Sequence, residues 1–248
     1  MNSNTKIALI TGANRGIGLE TASQLATQDV FVIVSARNSE KLRETKLTFG
    51  KEHPEADFVQ LDVTDMASIQ MAREYVETKY GRLDILINNA GIAEEMSKPP
   101  INNSADISID SIKQIYATNV FGVIAVTQAM LPLLRKSANG RIVNLSSGLG
   151  SLSRHSDVSS PFYHLKTLAY NSSKAALNQF TIHLSEALHN TQIKVNSVSP
   201  GWVKTDLGGP YAPLQVADGA KIIVKAAMLP DEGPTGTFFT QDMAVIPW

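Results

Sequence analysis

The chain has 248 residues, a formal net charge of −1 and 43% hydrophobic residues. This length suits one large α/β domain or two small ones, and the composition supports a sizeable core. The near-neutral charge gives no electrostatic footprint for nucleic acid or for an anionic membrane. Because the chain contains no cysteine, disulfides, thiolate-bound zinc and a cysteine nucleophile are excluded.

Short apolar runs alternate with longer amphipathic stretches along the chain. Strands are predicted at Lys6–Thr11, Val30–Ala36, Asp57–Asp62, Leu83–Asn88, Arg141–Ser147, Lys194–Ser199 and Gly236–Thr240. Helices are predicted at Gly16–Gln28, Ser39–Glu52, Asp65–Tyr80, Ser111–Ser137, Asn171–His189 and Leu214–Leu229, with Ser39 and Asp65 as N-caps. This alternation predicts an α/β fold, a single Rossmann-type domain over residues 1–248 with a doubly wound sheet of about seven parallel strands.

The apolar segments are too short to indicate export or membrane insertion. The first twelve residues lack the apolar run of a secretory signal. The longest apolar stretch, Val120–Leu134, is interrupted by Thr127, Gln128 and Pro132 and falls short of the roughly 20 residues that a membrane span needs. We therefore expect a cytoplasmic protein with no membrane or nucleic-acid partner.

Polar segments at 94–110 and 149–169 depart from the alternation and are long for ordered connections. Both follow the carboxyl ends of predicted strands, the edge at which open α/β sheets bind ligands. Together with 202–213 they are predicted to be substrate loops. Apolar side chains in these loops indicate a pocket for an apolar compound; they are Leu149, Leu152, Phe162, Trp202, Leu207 and Tyr211.

A glycine-rich turn, Thr11-Gly-Ala-Asn-Arg-Gly-Ile-Gly18, joins the first predicted strand to the first predicted helix. Glycines let the backbone approach a pyrophosphate closely, and a helix N-terminus favours negative charge. The spacing G-x-x-x-G-x-G differs from the general dinucleotide fingerprint, and a tight packing turn alone would produce a similar pattern.

Five further features follow the turn in order along the chain. They are Asn88-Asn-Ala-Gly91, Asn119, Ser146-Ser147, the pair Tyr170 and Lys174, and Pro200-Gly201. With the turn, they resemble the short-chain dehydrogenase/reductase family over essentially the whole chain. The segments Ser199–Asp206 and Gly233–Phe239, with Trp248, are similar to the carbonyl-reductase branch of that family.

The resemblance implies a catalytic set of Asn119, Ser147, Tyr170 and Lys174, with Ser146 as the alternative serine. Tyr170 and Lys174 are four residues apart and share a helix face. A free phenol titrates near about 10, so a nearby ammonium and an oxidised nicotinamide are expected to lower the pKa of Tyr170. The family roles give Lys174 the nicotinamide ribose, Ser147 the substrate oxygen and Asn119 a relay water.

The cofactor implied is NADPH/NADP+. No carboxylate follows the second strand to repel a 2′-phosphate, whereas Arg37 and Arg15 are both placed to pair with one. The predicted cofactor-binding residues are Gly12, Asn14, Arg15, Gly16, Ile17, Gly18, Arg37, Asp62, Val63, Asn89, Ala90, Gly91, Tyr170, Lys174, Pro200, Gly201, Val203 and Thr205. No metal site is predicted, because no histidines show ligand spacing.

The activity expected from the resemblance is reduction of aldehydes or ketones to alcohols. Two alternatives stay open: an NAD(P)-dependent alcohol or hydroxysteroid dehydrogenase, and a dinucleotide sensor that has lost catalysis. Assembly also stays open. The gap from Ser147 to Tyr170 is longer than the family commonly shows, and a larger insertion there accompanies monomeric carbonyl reductases.

Overall fold

The computed structural model describes residues 5–93 and 104–248, so most of the predicted loop 94–110 lies outside the described residues. Seven parallel strands form one sheet in the order β3-β2-β1-β4-β5-β6-β7. The strands are β1 Ile7–Ile10, β2 Phe31–Ala36, β3 Asp57–Gln60, β4 Ile85–Asn88, β5 Arg141–Leu145, β6 Lys194–Val198 and β7 Thr237–Phe239. The predicted doubly wound sheet is confirmed, with strands somewhat shorter than the apolar runs suggested.

Helices cover both faces of the sheet. They are α1 Gly16–Ala26, α2 Ser39–Glu52, α3 Met66–Tyr80, α4 Ile109–Tyr116, α5 Val123–Leu134, α6 Leu152–Ser156, α7 Leu168–Ala187 and α8 Val216–Ala227. Two hydrophobic cores result, one holding Ile69, Met130 and Leu133 and the other Leu25 and Ile223. Strands buried on both faces explain why their sequences are continuous apolar runs rather than alternating ones.

The strand order reverses beside β1, which pairs with β2 on one side and with β4 on the other. At such a switch point the connections after neighbouring strands diverge to opposite faces and leave a crevice at the carboxyl edge. The glycine-rich turn follows β1 and residues 89–91 follow β4, so both border this crevice.

Helix caps and helix starts differ from the sequence prediction at several positions, including α4, which begins at Ile109 instead of Ser111. Asn38, not Ser39, is the N-cap of α2, because its side chain accepts a hydrogen bond from the Lys41 amide at 3.0 Å. Asp65 caps α3 as predicted. Helix α7 begins at Leu168 instead of Asn171, and α8 begins at Val216 instead of Leu214. The predicted loop 149–169 contains α6 and part of a 3₁₀ turn, Gly148–Gly150.

Helices α4 and α5 form one continuous helix through a π-helical segment, Ala117–Gly122. The continuous helix, Ile109–Leu134, has 26 residues and is long and apolar enough to cross a membrane. The sequence prediction, based only on Val120–Leu134, therefore underestimates the length of this apolar helix. Half of the most apolar window is nevertheless buried inside the fold, as in a core helix. The segment packs closely on the connection that follows β3, since a Cβ on Gly122 would lie 2.7 Å from the Val63 carbonyl oxygen.

The amino edge of the sheet is fastened by a buried arginine. Arg141, the first residue of β5, is only 1% exposed. Its guanidinium donates to the carbonyl oxygens of Leu229 at 2.8 and 3.0 Å and Gln192 at 3.3 Å, and pairs with Asp231 at 2.9 Å. This end of β5 is therefore a structural junction, whereas Ser147 lies beyond its other end.

Candidate active site

The glycine-rich turn is fastened to the turn after β4 by a reciprocal set of hydrogen bonds. The Thr11 hydroxyl accepts from the amides of Asn89 and Ala90, both at 3.0 Å. The Asn89 side-chain amide donates to the carbonyl oxygens of Thr11 at 2.8 Å and Gly12 at 3.0 Å. The structure thus brings together two motifs that are about eighty residues apart in the sequence.

Glycine is required where these turns meet. Gly12 and Gly16 have φ of +61° and +56°, a region that L residues with side chains rarely adopt. A Cβ on Gly12 would lie 3.0 Å from the Ala90 Cα, and one on Gly18 would collide with the Asn89 side chain. Helix α1 has no side-chain cap at Arg15, so its first amides remain available to an anion. These features fit a dinucleotide pyrophosphate.

The other predicted cofactor residues lie around the same crevice. Asn14 and Ile17 belong to the turn and use their carbonyl oxygens to accept from Thr45 and Thr21. Asp62 and Val63 follow β3, where an Asp62 carboxylate oxygen accepts from the amide and hydroxyl of Thr64. Residues 200–205 follow β6 and include Pro200, Gly201 at φ +82°, and the buried Val203.

Arg15 pairs with Asp206, an interaction that sequence reasoning did not find. The two side chains are 72% and 73% exposed. Close by, the Thr205 methyl carbon lies 3.6 Å from the position of a Cβ on Gly16. The segment after β6 therefore reaches the glycine-rich turn. Arg37 is exposed at the end of β2, and its carbonyl oxygen accepts from the Gln60 side chain at 3.0 Å.

Tyr170 and Lys174 lie one turn apart on α7, with the Lys174 Nζ 5.6 Å from the centroid of the Tyr170 ring. Burial raises the pKa of Tyr170 to about 12, and the polar side chain of Ser147 opposes that rise. The sequence predicts a lowered Tyr170 pKa, but the side chains of this protein raise it instead. The phenol holds its proton at neutral pH, the state that a proton donor needs.

The Lys174 amine is 4% exposed and donates to the Leu145 carbonyl oxygen at 2.7 Å. Burial lowers the pKa of Lys174 to about 8. Because this value is close to neutral pH, a modest change in the surroundings of the amine changes its charge. A Cβ on Gly150 would lie 2.8 Å from the Lys174 carbonyl carbon, so the 3₁₀ turn after Ser147 rests directly on α7.

Asn119 lies in the π-helical segment and is fully buried. Its amide donates to the Ile92 carbonyl oxygen at 2.8 Å and the Ser173 hydroxyl at 3.0 Å, and its Oδ1 accepts from the Ile92 amide at 2.9 Å. The second lone pair of Oδ1 remains available. Gly91 lies between Asn119 and Lys174, with its Cβ position 3.4 Å from Oδ1 and 3.5 Å from Nζ.

The hydroxyls of the adjacent Ser146 and Ser147 have different surroundings. Ser147 is partly exposed and lies near enough to Tyr170 to lower its pKa, while the Ser147 hydroxyl accepts from the Leu149 amide at 3.2 Å. The Ser146 hydroxyl is buried and has no hydrogen-bond partner among the described residues. The geometry therefore favours Ser147, as the sequence did, as the serine beside the phenol.

A second tyrosine–lysine pair does not share this arrangement. Lys166 lies over the ring of Tyr163, with its Nζ 4.5 Å from the centroid, and donates to the His155 carbonyl oxygen at 2.6 Å. Both residues belong to the loop before α7, as the three-residue spacing suggested. Within residues 5–93 and 104–248, no group of three His, Asp or Glu side chains is arranged to hold a metal ion.

Sequence reasoning missed several groups that build the site. The Leu145 carbonyl oxygen and the Ile92 amide and carbonyl are main-chain groups, so the residue types at these positions do not reveal their role. Thr11 and Ser173 are polar residues inside recognised motifs, and they could have been found from that position. Arg154 was missed because nothing in the sequence relates it to Ser147; in the structure its Nη1 lies 3.2 Å from the Cβ position of Gly148.

A seven-stranded parallel sheet with a glycine-lined crevice and a serine–tyrosine–lysine cluster at its carboxyl edge defines a Rossmann-type dinucleotide oxidoreductase fold. The family model for short chain dehydrogenases matches residues 6–213. The chain belongs to the short-chain dehydrogenase/reductase family, whose members are oxidoreductases that bind a nicotinamide dinucleotide.

Relatives and solved structures resemble the whole chain. An (-)-isopiperitenone reductase from Mentha piperita is 33% identical over 310 residues, covering 97% of this chain and 98% of that protein. An NADPH carbonyl reductase 1 from Sus scrofa is 30% identical and covers 100% of this chain and 96% of its own. The structure of NADPH-bound carbonyl reductase from chicken fatty liver superposes with a TM-score of 0.86 at 30% identity, covering 98% and 99% of the two chains.

Proposed function

We propose that the protein reduces aldehyde or ketone carbonyls to alcohols with NADPH. The observation that carries this proposal is the placement of Tyr170 one turn from the buried Lys174 on α7, with the Lys174 Nζ 5.6 Å from the Tyr170 ring centroid and Ser147 beside the phenol. The carbonyl-reductase names of relatives and neighbours support the same reaction. We further propose a small, largely apolar carbonyl substrate and a cytoplasmic location, with a monomer and a homo-oligomer both compatible with the chain.

NADPH, when bound, supplies the hydride for the carbonyl carbon. The Tyr170 hydroxyl donates its proton to the substrate oxygen, and Ser147 donates a hydrogen bond to the same oxygen as negative charge develops there. Lys174 binds the ribose hydroxyls and holds positive charge beside the phenol. Asn119 fixes the π-helical segment and offers its free Oδ1 lone pair to a water beside Lys174, through which the proton of Tyr170 is replaced.

The pocket proposed for the substrate lies between segments 149–169 and 202–213. Leu152, Trp202 and Tyr211 are 70%, 55% and 87% exposed, and exposed apolar groups of this size mark binding surfaces. The Trp202 indole donates to the Gly208 carbonyl oxygen at 2.7 Å, which fixes its ring within the second segment. The test of the proposal is oxidation of NADPH, followed by absorbance, across a panel of aldehydes and ketones.

We expect Arg37→Asp to weaken NADPH binding by about ten-fold or more and to leave NADH binding nearly unchanged, because a charged hydrogen bond to the 2′-phosphate is lost. Binding is measured by quenching of tryptophan fluorescence. The matched control is Arg43→Asp, since Arg43 is also exposed but lies inside α2. An equal loss of affinity for NADPH and NADH would show that Arg37 does not bind the 2′-phosphate.

We expect Asp206→Asn to tighten NADPH binding about two- to five-fold and to leave NADH unaffected, because an exposed ion pair contributes up to about 1 kcal/mol and competes with the 2′-phosphate for Arg15. The control is Asp218→Asn, whose carboxylate pairs with Lys221 on α8. Weaker binding of both dinucleotides would instead mean that Asp206 fastens the segment after β6 over the crevice.

A further inference from the structure

Gly148 directly follows Ser147, and two side chains of the next loop fill the space where its own would be. A Cβ on Gly148 would lie 3.1 Å from ring atoms of Phe162 and 3.2 Å from the Arg154 Nη1. A guanidinium therefore rests against the backbone one residue from the serine that meets Tyr170. Position 148 is compatible with this contact because glycine leaves the space free.

Arg154 is held in place by an aromatic ring. Its guanidinium carbon lies 5.0 Å from the centroid of Phe162, a cation–π contact, and the residue is partly buried. Such stacking orients the guanidinium without using its N–H donors, which point outward in the plane of the group. The charge is thus positioned while its hydrogen-bonding capacity is left unused.

No acidic group of the described residues neutralises Arg154, for its side chain forms no ion pair or hydrogen bond with them. Asp157, the acidic residue of this loop, accepts from the Ser159 amide at 2.9 Å and the Ser159 hydroxyl at 2.7 Å. Asp206, in the facing segment, pairs with Arg15. The other cation of the loop, Lys166, donates to the His155 carbonyl oxygen. Of the two basic side chains, Arg154 and Lys166, in the described segment 149–169, only Arg154 has neither an ion pair nor a hydrogen-bond partner for its side chain.

We propose that Arg154 is a substrate-binding residue and that the carbonyl substrate carries a carboxylate, which the guanidinium binds. The proposal rests on the proposed function and deepens it by naming the substrate class. A carboxylate accepts two parallel hydrogen bonds from a guanidinium, a geometry that also sets the orientation of the carbonyl group. The loop surroundings of Arg154, Phe162 and Leu152 suit an organic acid with an apolar body.

The experiment compares keto acids of increasing chain length with their primary amides, which match the carboxylate in shape but carry no charge. We expect the wild-type kcat/KM to favour the best acid over its amide by about ten-fold or more, since a guanidinium binds a carboxylate through charged hydrogen bonds that are stronger than those to a neutral amide. Arg154→Gln should remove this preference by lowering kcat/KM for the acid alone, and Arg154→Lys should restore part of it. Lys166→Gln is the matched control and should keep the ratio.

Two results would overturn the proposal while the proposed function stands. One is a wild-type enzyme that reduces acid and amide equally well. The other is an equal loss on both substrates in Arg154→Gln, which would make Arg154 a support for Phe162 and the loop. If the wild type reduces neither these pairs nor any other carbonyl compound with NADPH, both the proposed function and the proposal fail.

Discussion

Replacing Tyr170 by phenylalanine is expected to lower kcat for carbonyl reduction by about 10²–10⁴-fold, the range typical for loss of a positioned general acid. The substitution removes one oxygen and leaves the ring on α7, so the fold and the affinity for NADPH should stay nearly unchanged. Because the pKa of Tyr170 is raised to about 12, the wild-type phenol carries its proton throughout the neutral range. The measurement is single-turnover oxidation of bound NADPH with saturating substrate.

Tyr163→Phe is the matched control for this variant, since the ring of Tyr163 also has a lysine over it and lies in the loop just before α7. It should retain nearly the full rate. Retention of the wild-type rate in Tyr170→Phe, with NADPH still bound, would show that another group protonates the substrate oxygen. Loss of NADPH binding together with the rate would instead give Tyr170 a binding role.

Lys174→Met is expected to abolish reduction and, at the same time, to raise the stability of the protein at pH 7 by about 1–2 kcal/mol. Burial lowers the pKa of Lys174 from 10.5 to about 8, which corresponds to a cost of ~3 kcal/mol for keeping the amine charged in the fold. The variant also loses the hydrogen bond to the Leu145 carbonyl oxygen, which offsets ~1 kcal/mol of the gain. Urea denaturation measures the difference.

The pH dependence of this difference has a definite sign. Between pH 8 and 10.5 the unfolded wild type binds a proton at Lys174 that the folded protein has released, so wild-type stability rises with pH relative to the variant. The advantage of Lys174→Met should therefore shrink across this range. Lys225→Met, at an exposed position of α8, should show no such change. A constant or growing difference would contradict the assignment of the lowered pKa to burial.

The sequence predicted the sheet well because its strands are buried on both faces. Continuous apolar runs such as Ile7–Ile10 and Ile85–Asn88 have no other common explanation when helices alternate with them. Helix ends were less accurate. Ser39 and Asn38 are both good capping residues, and the choice between them depends on a single hydrogen bond to the Lys41 amide.

The structure brings the predicted catalytic residues Tyr170, Lys174 and Ser147 close together, but the pKa of Tyr170 is raised by burial where the sequence predicted that it is lowered. A tyrosine four residues before a lysine predicts a shared helix face, and α7 confirms it. The direction of the Tyr170 pKa depends on burial and on where the Lys174 amine donates, which residue types do not reveal. For the same reason the π-helical segment around Asn119 and the pair of Arg15 with Asp206 could not be anticipated, since both arise from tertiary packing.

Substitutions at the two ends of β5 are expected to change different properties of this protein during evolution. Arg141 at the amino end joins β5 to two other chain segments, at Gln192 and at Leu229 to Asp231, while Ser147 lies just past the carboxyl end. Substitutions around Arg141 would change how much folded protein a cell maintains, and, under the proposed function, substitutions past Ser147 would change which compounds are reduced. The positions that determine the amount of folded protein are thus separated by the length of β5 from those proposed to determine substrate selectivity. Substitutions that change the substrate can therefore arise in evolution without lowering the amount of folded protein.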